Sequence, residues 1–398
     1  MNVAVEKTAK FRLWNLLKVW GPAWLVMIAD VDAASVITAA QSGAQYGTKL
    51  IWFVMALTVP LFLIQEVAGR VGAVTGKGLG ELIREHFSKR IAILAAIPMA
   101  VVDIVSYIVE YTGAAIGFQI FGVSPWISVP IVFLLHLLIV FRRKYEQAEK
   151  PLFVVSVVFA GAWIAAAFLT PHHNLTVTPF YFDMSPGFLF LLAANVGAVI
   201  MPFMLFYQAS ATAEKRTGHE NLWAIRVETA VGALVSEVIM VAILVATIGV
   251  NSHALQFDNP RLLSQGLASV AGSWAPYLFG IGLITASFIA LIVISLGSCW
   301  GVTEALGWGR HRWFTLYLAE SIPAALTVLL FTYNLINFAV GMMVFQILVL
   351  AGPAVILGLL ARRADLMGRH RLKGFNQFLY WGMLVLIFAT GILSVVTI

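Results

Sequence analysis

The sequence predicts an all-α membrane protein of about eleven transmembrane helices, ten of them in two five-helix halves of opposite orientation and the last one additional. Three observations predict it. Hydrophobic residues make up 61% of the 398 and charged residues 11%, with a mean hydropathy of +0.91, so lipid rather than water must solvate most of the surface. The 25 basic residues alternate with the predicted spans, and all but Lys49 and Arg261 fall on one side, which is the positive-inside pattern. Two spans that lie five apart carry chain-breaking signals at mid-depth, a pointer to a transporter built from inverted repeats.

A spanning helix needs about 20 largely apolar residues. Such stretches lie at 20–45, 50–73, 91–120, 125–141 and 151–170, then at 187–210, 224–250, 268–296, 312–331 and 335–361, and last at 374–398. Residues 1–19 read as a cytoplasmic tail, 20–361 as a transporter core with halves at about 20–170 and 187–361, and 374–398 as the additional helix. The charge pattern places the N-terminus in the cytoplasm and the C-terminus outside, in a cell inner (cytoplasmic) membrane. No small-residue cleavage site follows the first apolar run, so 1–19 reads as a retained tail and not as a signal peptide. The net charge of +6 is spread over several loops of one side and follows from topology, so it implies no nucleic-acid partner. The single cysteine, Cys299, has no internal disulfide partner. No polar block is long enough for a soluble domain, and the chemistry must therefore sit among the helices.

The stretch "IADVDAASV" interrupts the first span, and "NVGAVIMPFML", with Gly197 and Pro202, interrupts the sixth. A carboxylate at the bilayer centre costs about 3 kcal/mol even on insertion scales, so each calls for a partner or a function. Asp30, Asp32, Asp103, Glu110 and Glu237 lie at that depth, with Glu320 a sixth, and no Lys or Arg lies there to pair with them. Uncompensated negative charge invites a cation. Asp30 and Asp32 are two residues apart and would point differently in a regular helix, so only one is expected to face a common site. Asp103 and Glu110 are seven apart and share a helix face, which fits a proton or water path and equally a protonated, hydrogen-bonded pair. Glu66, Glu228 and Glu304 lie near the basic ends of their spans and read as solvated caps. The histidines, His136 excepted, lie in loops or near helix ends without metal-site spacing, which gives no zinc site.

These residues carry a family resemblance. "GPAWLVMIADVDAASVITAAQSGAQYGTKLIW" resembles the first helix of the natural resistance-associated macrophage protein (Nramp) transporters, with its Gly-Pro start, Asp-Pro-Gly-Asn core and Gly-Ala-Gln-Tyr-Gly end. "GAVIMPFMLFYQAS" is similar to the family's sixth helix, where Met-Pro-His is usual, and "VTGKGLGELIREHF" and "VEYTGAAIGFQIFG" are similar as well. The resemblance implies a LeuT-like 5+5 inverted repeat with broken helices 1 and 6 plus one extra helix, and proton-linked import of Mn²⁺ or Fe²⁺. It implies Asp32 as the metal-binding aspartate, Ser35 in place of the asparagine, Met201 as the thioether ligand and Ala198 as a carbonyl donor. Several positions depart from the family pattern. Ala33-Ala34 stand for Pro-Gly, Phe203 for the histidine after Met-Pro, Tyr107 for an aspartate one turn before Glu110, and Glu237 for an asparagine of the seventh helix. The family's proton route is thereby altered, with Asp103 and Glu110 left as path candidates.

Chemically, Asp32 supplies a hard anionic oxygen, Ser35 a neutral one, the broken helices free carbonyls such as those of Ala33 and Ala198, and Met201 a soft sulfur. A thioether favours transition ions over Mg²⁺ and Ca²⁺, which prefer oxygen alone. If Glu237 joins, a larger or more hydrated ion becomes feasible. The expected substrate is therefore Mn²⁺ or Fe²⁺, the alternative is Mg²⁺ as in Nramp-related Mg²⁺ carriers, and the second alternative is an organic substrate carried by the same architecture. That last reading requires no anion facing the substrate carboxylate, whereas Asp32 stands there. No constellation of nucleophile and base appears, so neither an enzyme nor a cofactor is expected.

Overall fold

The computed structural model describes residues 20–141, 145–169, 178–250, 259–331 and 335–397; the expected tail at 1–19 and the His172–His173 pair lie outside them. Every regular element among the described residues is a helix. Helix α1 (Pro22–Asp30) starts on a proline, which loses no hydrogen bond at that position. It stops where Val31 leaves helical geometry, and α2 (Ala33–Tyr46) restarts with Asp32 as its N-cap. A 3₁₀ turn at Gly47–Leu50 leads into α3 (Ile51–Thr75) and the short amphipathic α4 (Leu79–His86). The long α5 (Lys89–Ile120) follows, capped by Ser88 accepting the Ile91 N–H, then α6 (Pro125–Phe141) and α7 (Tyr145–Leu169).

The second half repeats the theme. Helix α8 (Pro186–Val199) ends at Ile200 in extended geometry and α9 (Pro202–Glu214) restarts after Met201. After them come α10 (Leu222–Ala246), α11 (Pro260–Ala271), α12 (Ala275–Leu306), α13 (Trp313–Leu330), α14 (Leu335–Arg362) and α15 (Gly374–Thr397). Eight stretches among the described residues are long and apolar enough to cross a membrane. One of them, Ala33–Thr75, is two crossings joined at the 3₁₀ turn, and two shorter apolar helices, Pro125–Val140 and Val154–Ala165, bring the number to eleven.

One boundary differs from expectation. The eighth span was expected at 268–296, but Gly272 adopts φ 85, a conformation side chains disfavour, and ends α11 there. The true crossing, α12, therefore begins at Ala275 and reaches Leu306.

Contacts at the two ends fix how the first crossing and α3 run relative to each other. Gly21 lies against Glu228, while at the far end of the first crossing Tyr46 packs on Phe188 and Lys49 sits 4.3 Å above the Tyr181 ring. Helix α3 then returns, placing Arg70 and Glu66 beside Arg226. Arg70, Lys215 and Arg226 thus gather on one face. Helices α5 and α12 pack along their length as a central pair, and both broken crossings rest against it.

Of the three glutamates read as solvated caps, Glu228 and Glu66 are buried and Glu304 is half-buried. Glu228 is buried and accepts the N–H groups of Gly21 at 2.6 Å and Trp24 at 2.9 Å, satisfying the open first turn of α1 from another crossing. Glu66 pairs with Arg70 and Arg226. Glu304 accepts from Ser210 at 2.8 Å and from the Gly80 N–H at 3.1 Å. Each of these three carboxylates meets a neighbouring chain segment, a fact invisible within the span itself.

Candidate metal site

The first break is held by its own carboxylates. Asp32 Oδ1 accepts the Ser35 N–H at 2.7 Å, the standard N-cap bond. Glu110, reaching from α5, accepts the Ala33 N–H at 3.1 Å. Two of the N–H groups left open at the start of α2 are thereby satisfied by two different crossings. The Asp32 and Glu110 carboxylates adjoin closely enough to share a proton; apart from each other, Oδ2 of Asp32 and Oε1 of Glu110 are buried with no hydrogen bond of normal geometry. Such an oxygen is costly to leave unpaired and is available to a ligand.

The second break meets the first through one hydroxyl. Ser35 Oγ donates to the Asp30 carbonyl at 2.7 Å and lies 3.3 Å from the Ala198 carbonyl oxygen. Ala198 belongs to the last turn of α8, where carbonyls have no following N–H and carry the negative end of the helix dipole. Met201 caps α9: its thioether accepts from the Met204 N–H, and the Met204 sulfur accepts the Met201 N–H at 3.4 Å. Sulfur is a weak acceptor on a flexible stem, so that capping bond is easily exchanged for another partner. Asp32, Ala33, Ser35, Ala198 and Met201 are all fully buried. Among the described residues no three His, Cys, Asp or Glu side chains converge to hold a metal, so a cation here must draw on carbonyl, hydroxyl and thioether donors as well as carboxylate.

The remaining mid-depth carboxylates separate into two further groups. Asp30 accepts the Ser236 hydroxyl at 2.8 Å, and its carboxylate meets Glu237 more strongly than Asp32. Glu237 thus stands with Asp30 and not with Asp32. Asp103 shares a helix with Glu110 but not its surroundings: it lies against Glu320 of α13 and Ser298 of α12, and Ser298 donates to Glu320 at 2.8 Å. The two candidates for a proton path therefore serve different neighbourhoods.

Sequence reading missed a buried polar column beside them. Tyr107 donates to Ser295 at 2.8 Å, Ser295 lies 2.6 Å from His136 Nε2, His136 Nδ1 lies 3.3 Å from the Tyr111 hydroxyl, and that hydroxyl is 2.7 Å from Ser321. Its members come from α5, α6, α12 and α13. The one available signal was His136, the only histidine in the middle of a span.

The family model described as natural resistance-associated macrophage protein-like matches residues 23–397. A curated relative, the divalent metal cation transporter MntH of Klebsiella pneumoniae subsp. pneumoniae, is 24% identical over 375 residues, covering 86% of this chain and 87% of that protein. The crystal structure of the manganese transporter of Eremococcus coleocola, in complex with an aromatic bis-isothiourea substituted compound, matches with a TM-score of 0.80 at 19% identity, over 96% of this chain and 86% of that one. MhsT in complex with L-phenylalanine matches more distantly, with a TM-score of 0.62 at 13% identity over 95% and 97% of the two chains. At these identities the structural matches speak for the fold, a LeuT-like arrangement with its first and sixth crossings broken. Because the family model spans nearly the whole chain, the protein belongs to the Nramp family of integral membrane transporters.

Proposed function

We propose that this protein is a secondary transporter that imports a divalent transition-metal ion, Mn²⁺ or Fe²⁺, through the site between the two broken crossings. The observation that carries the reading is Asp32: a fully buried carboxylate with one oxygen that has no partner apart from Glu110, at the junction where the Ala198 carbonyl meets the first break. Asp32 supplies the charge, Ser35 and the carbonyls of Ala33 and Ala198 supply neutral oxygens, and Met201 supplies sulfur. The relatives named for divalent cations and manganese support a metal over an organic substrate, for which a carboxylate at Asp32 would be repulsive. The basic face formed by Arg70, Lys215 and Arg226 is taken as cytoplasmic, which puts the N-terminus inside and the C-terminus outside.

Ion-competition uptake in proteoliposomes tests the reading. Met201→Ala is expected to weaken Mn²⁺ and Cd²⁺ uptake about tenfold, roughly 1.4 kcal/mol, and to relax the exclusion of Mg²⁺ and Ca²⁺, because sulfur alone discriminates by softness. Wild-type protein that takes Mg²⁺ as readily as Mn²⁺ would make Met201 a packing residue. One observation favours that second reading, Mg²⁺ transport: Asp30 and Glu237 offer oxygen without sulfur.

Coupling to protons is expected to be weak. Tyr107 and Phe203 stand at two positions where the family uses titrating side chains, and neither titrates usefully near neutral pH. Transport then runs mainly down the metal gradient and the membrane potential. A pH reporter inside proteoliposomes, with metal added outside and the potential clamped, should show little acidification. Robust metal-dependent acidification that disappears in Glu110→Gln would instead establish Glu110 as part of a working relay.

A further inference from the structure

Asp30 and Glu237 have no role in the site just described, yet both are buried in the middle of the membrane. Asp30 is 1% exposed and Glu237 0%. Asp30 Oδ1 and both Glu237 carboxylate oxygens lack hydrogen-bond partners. The ion pairs among the described residues use Glu66, Glu81, Glu85, Glu214, Glu220 and Asp365, and no Lys or Arg reaches this pair. Leaving two facing carboxylates in a low-dielectric interior with three oxygens unsatisfied is expensive. The pair is tolerable once its charge is neutralised, either by protons on the carboxyls or by a cation held between them.

The surroundings suit the cation. Asp30 is the last residue of α1, at the negative end of the helix dipole; its own carbonyl already accepts the Ser35 hydroxyl and that of Ile28 the Val31 N–H. Across from it, α10 contributes Ser236, whose hydroxyl donates to Asp30 Oδ2 at 2.8 Å and so fixes that carboxylate's orientation. The donors are carboxylate and hydroxyl oxygens, with no sulfur among them. Such a set suits a hard divalent cation.

We propose that Asp30, Glu237 and Ser236 form a second divalent-cation station, built of oxygen alone, on the α1 side of the first break. Two carboxylates balance the charge of one divalent ion. The station takes hard ions such as Mg²⁺, whereas the Asp32 and Met201 site takes softer ones, so the chain presents two adjoining positions with different preferences. Its placement follows the chain: Asp30 ends the half-helix that begins at Gly21 beside Glu228, so the station lies toward the basic face relative to Asp32. A cation crossing from Asp32 toward that face passes it.

The inference rests on the reading of Asp32 as a metal ligand only for that order of stations, and binding measurements separate the two. Full-length protein in nanodiscs is titrated calorimetrically with Mg²⁺ and separately with Cd²⁺. Glu237→Gln, which keeps shape and removes charge, is expected to weaken Mg²⁺ binding at least tenfold while changing Cd²⁺ affinity less than threefold; Asp30→Asn should do the same. Asp32→Ala should do the reverse. Ser236→Ala removes one hydroxyl and should weaken Mg²⁺ binding a few-fold, which supplies a reading should Glu237→Gln fail to elute as a monodisperse protein. Undetectable Mg²⁺ binding to wild type, Mg²⁺ affinity unchanged in the α1 and α10 variants, or equal loss of both ions in Glu237→Gln would each overturn the second station. Cd²⁺ binding that survives Asp32→Ala would overturn the Asp32 site alone.

Discussion

Asp32→Ala is expected to abolish saturable metal uptake while the protein still inserts and folds. The carboxylate has two separable roles, one per oxygen. Oδ1 caps α2 through the Ser35 N–H, and losing a cap costs about 1 kcal/mol of stability, too little to unfold a chain held by extensive helix packing. Apart from Glu110, Oδ2 has no partner, and it is the charge available to the ion. Removing one member of a buried, charge-compensated pair costs about 3–5 kcal/mol, which is a loss of more than a hundredfold in affinity. Asp32→Asn separates the roles, because asparagine caps helices as well as aspartate does but brings no charge. Both variants should lose uptake, and only the alanine variant should lose thermal stability. Uptake of Mn²⁺ in proteoliposomes at several concentrations, with melting curves in detergent, checks both. Retained uptake at unchanged apparent affinity in either variant would remove Asp32 from the site.

The two breaks were legible in the sequence because each announces itself locally. Asp30, Val31 and Asp32 put polar and β-branched residues inside an apolar run, and Pro202 denies α9 any helical continuation from Val199. Charge placement likewise puts Arg70, Lys215 and Arg226 on one face, and the contacts bring Arg70 and Arg226 together there. The neighbours of the other carboxylates were not legible. Ser236 meets Asp30 across 206 positions, and Tyr107 meets Ser295 across 188, so spacing along one helix says nothing about either pair. The seven-residue spacing of Asp103 and Glu110 is a case in point. It places both on one face of α5, but that face runs past the first break at one level and past Glu320 at another. Periodicity identifies a face, and what the face meets changes along its length. The same reasoning explains Glu228, which caps a helix 204 to 207 positions away.

The last expectation concerns a residue without a side chain. Gly197 lies in α8, one position before Ala198, and a Cβ built on it would overlap the carbonyl oxygen of Met343 in α14 and approach Ile347 Cγ1 to 3.4 Å. The obstacle is backbone, which cannot rotate away as a side chain can. Gly197→Ala therefore forces α8 and α14 apart, and overpacking of this kind costs about 1–3 kcal/mol. The displacement acts on transport through the next residue. The Ala198 carbonyl faces Ser35 at 3.3 Å, so a shift of α8 carries that oxygen away from the first break while Asp32, held by α2 and α5, stays in place. Misplacement of a bound group by about 1 Å can cost a hundredfold in rate. Gly197→Ala is thus expected to lower metal uptake at least tenfold with a modest drop in melting temperature, and Gly197→Val to abolish uptake and destabilise the fold. Gly161, whose Cβ would meet open space, is the control, and Gly161→Ala should transport as wild type does. Uptake by Gly197→Ala equal to that of Gly161→Ala would show that α8 does not need its close contact with α14 to present the Ala198 carbonyl.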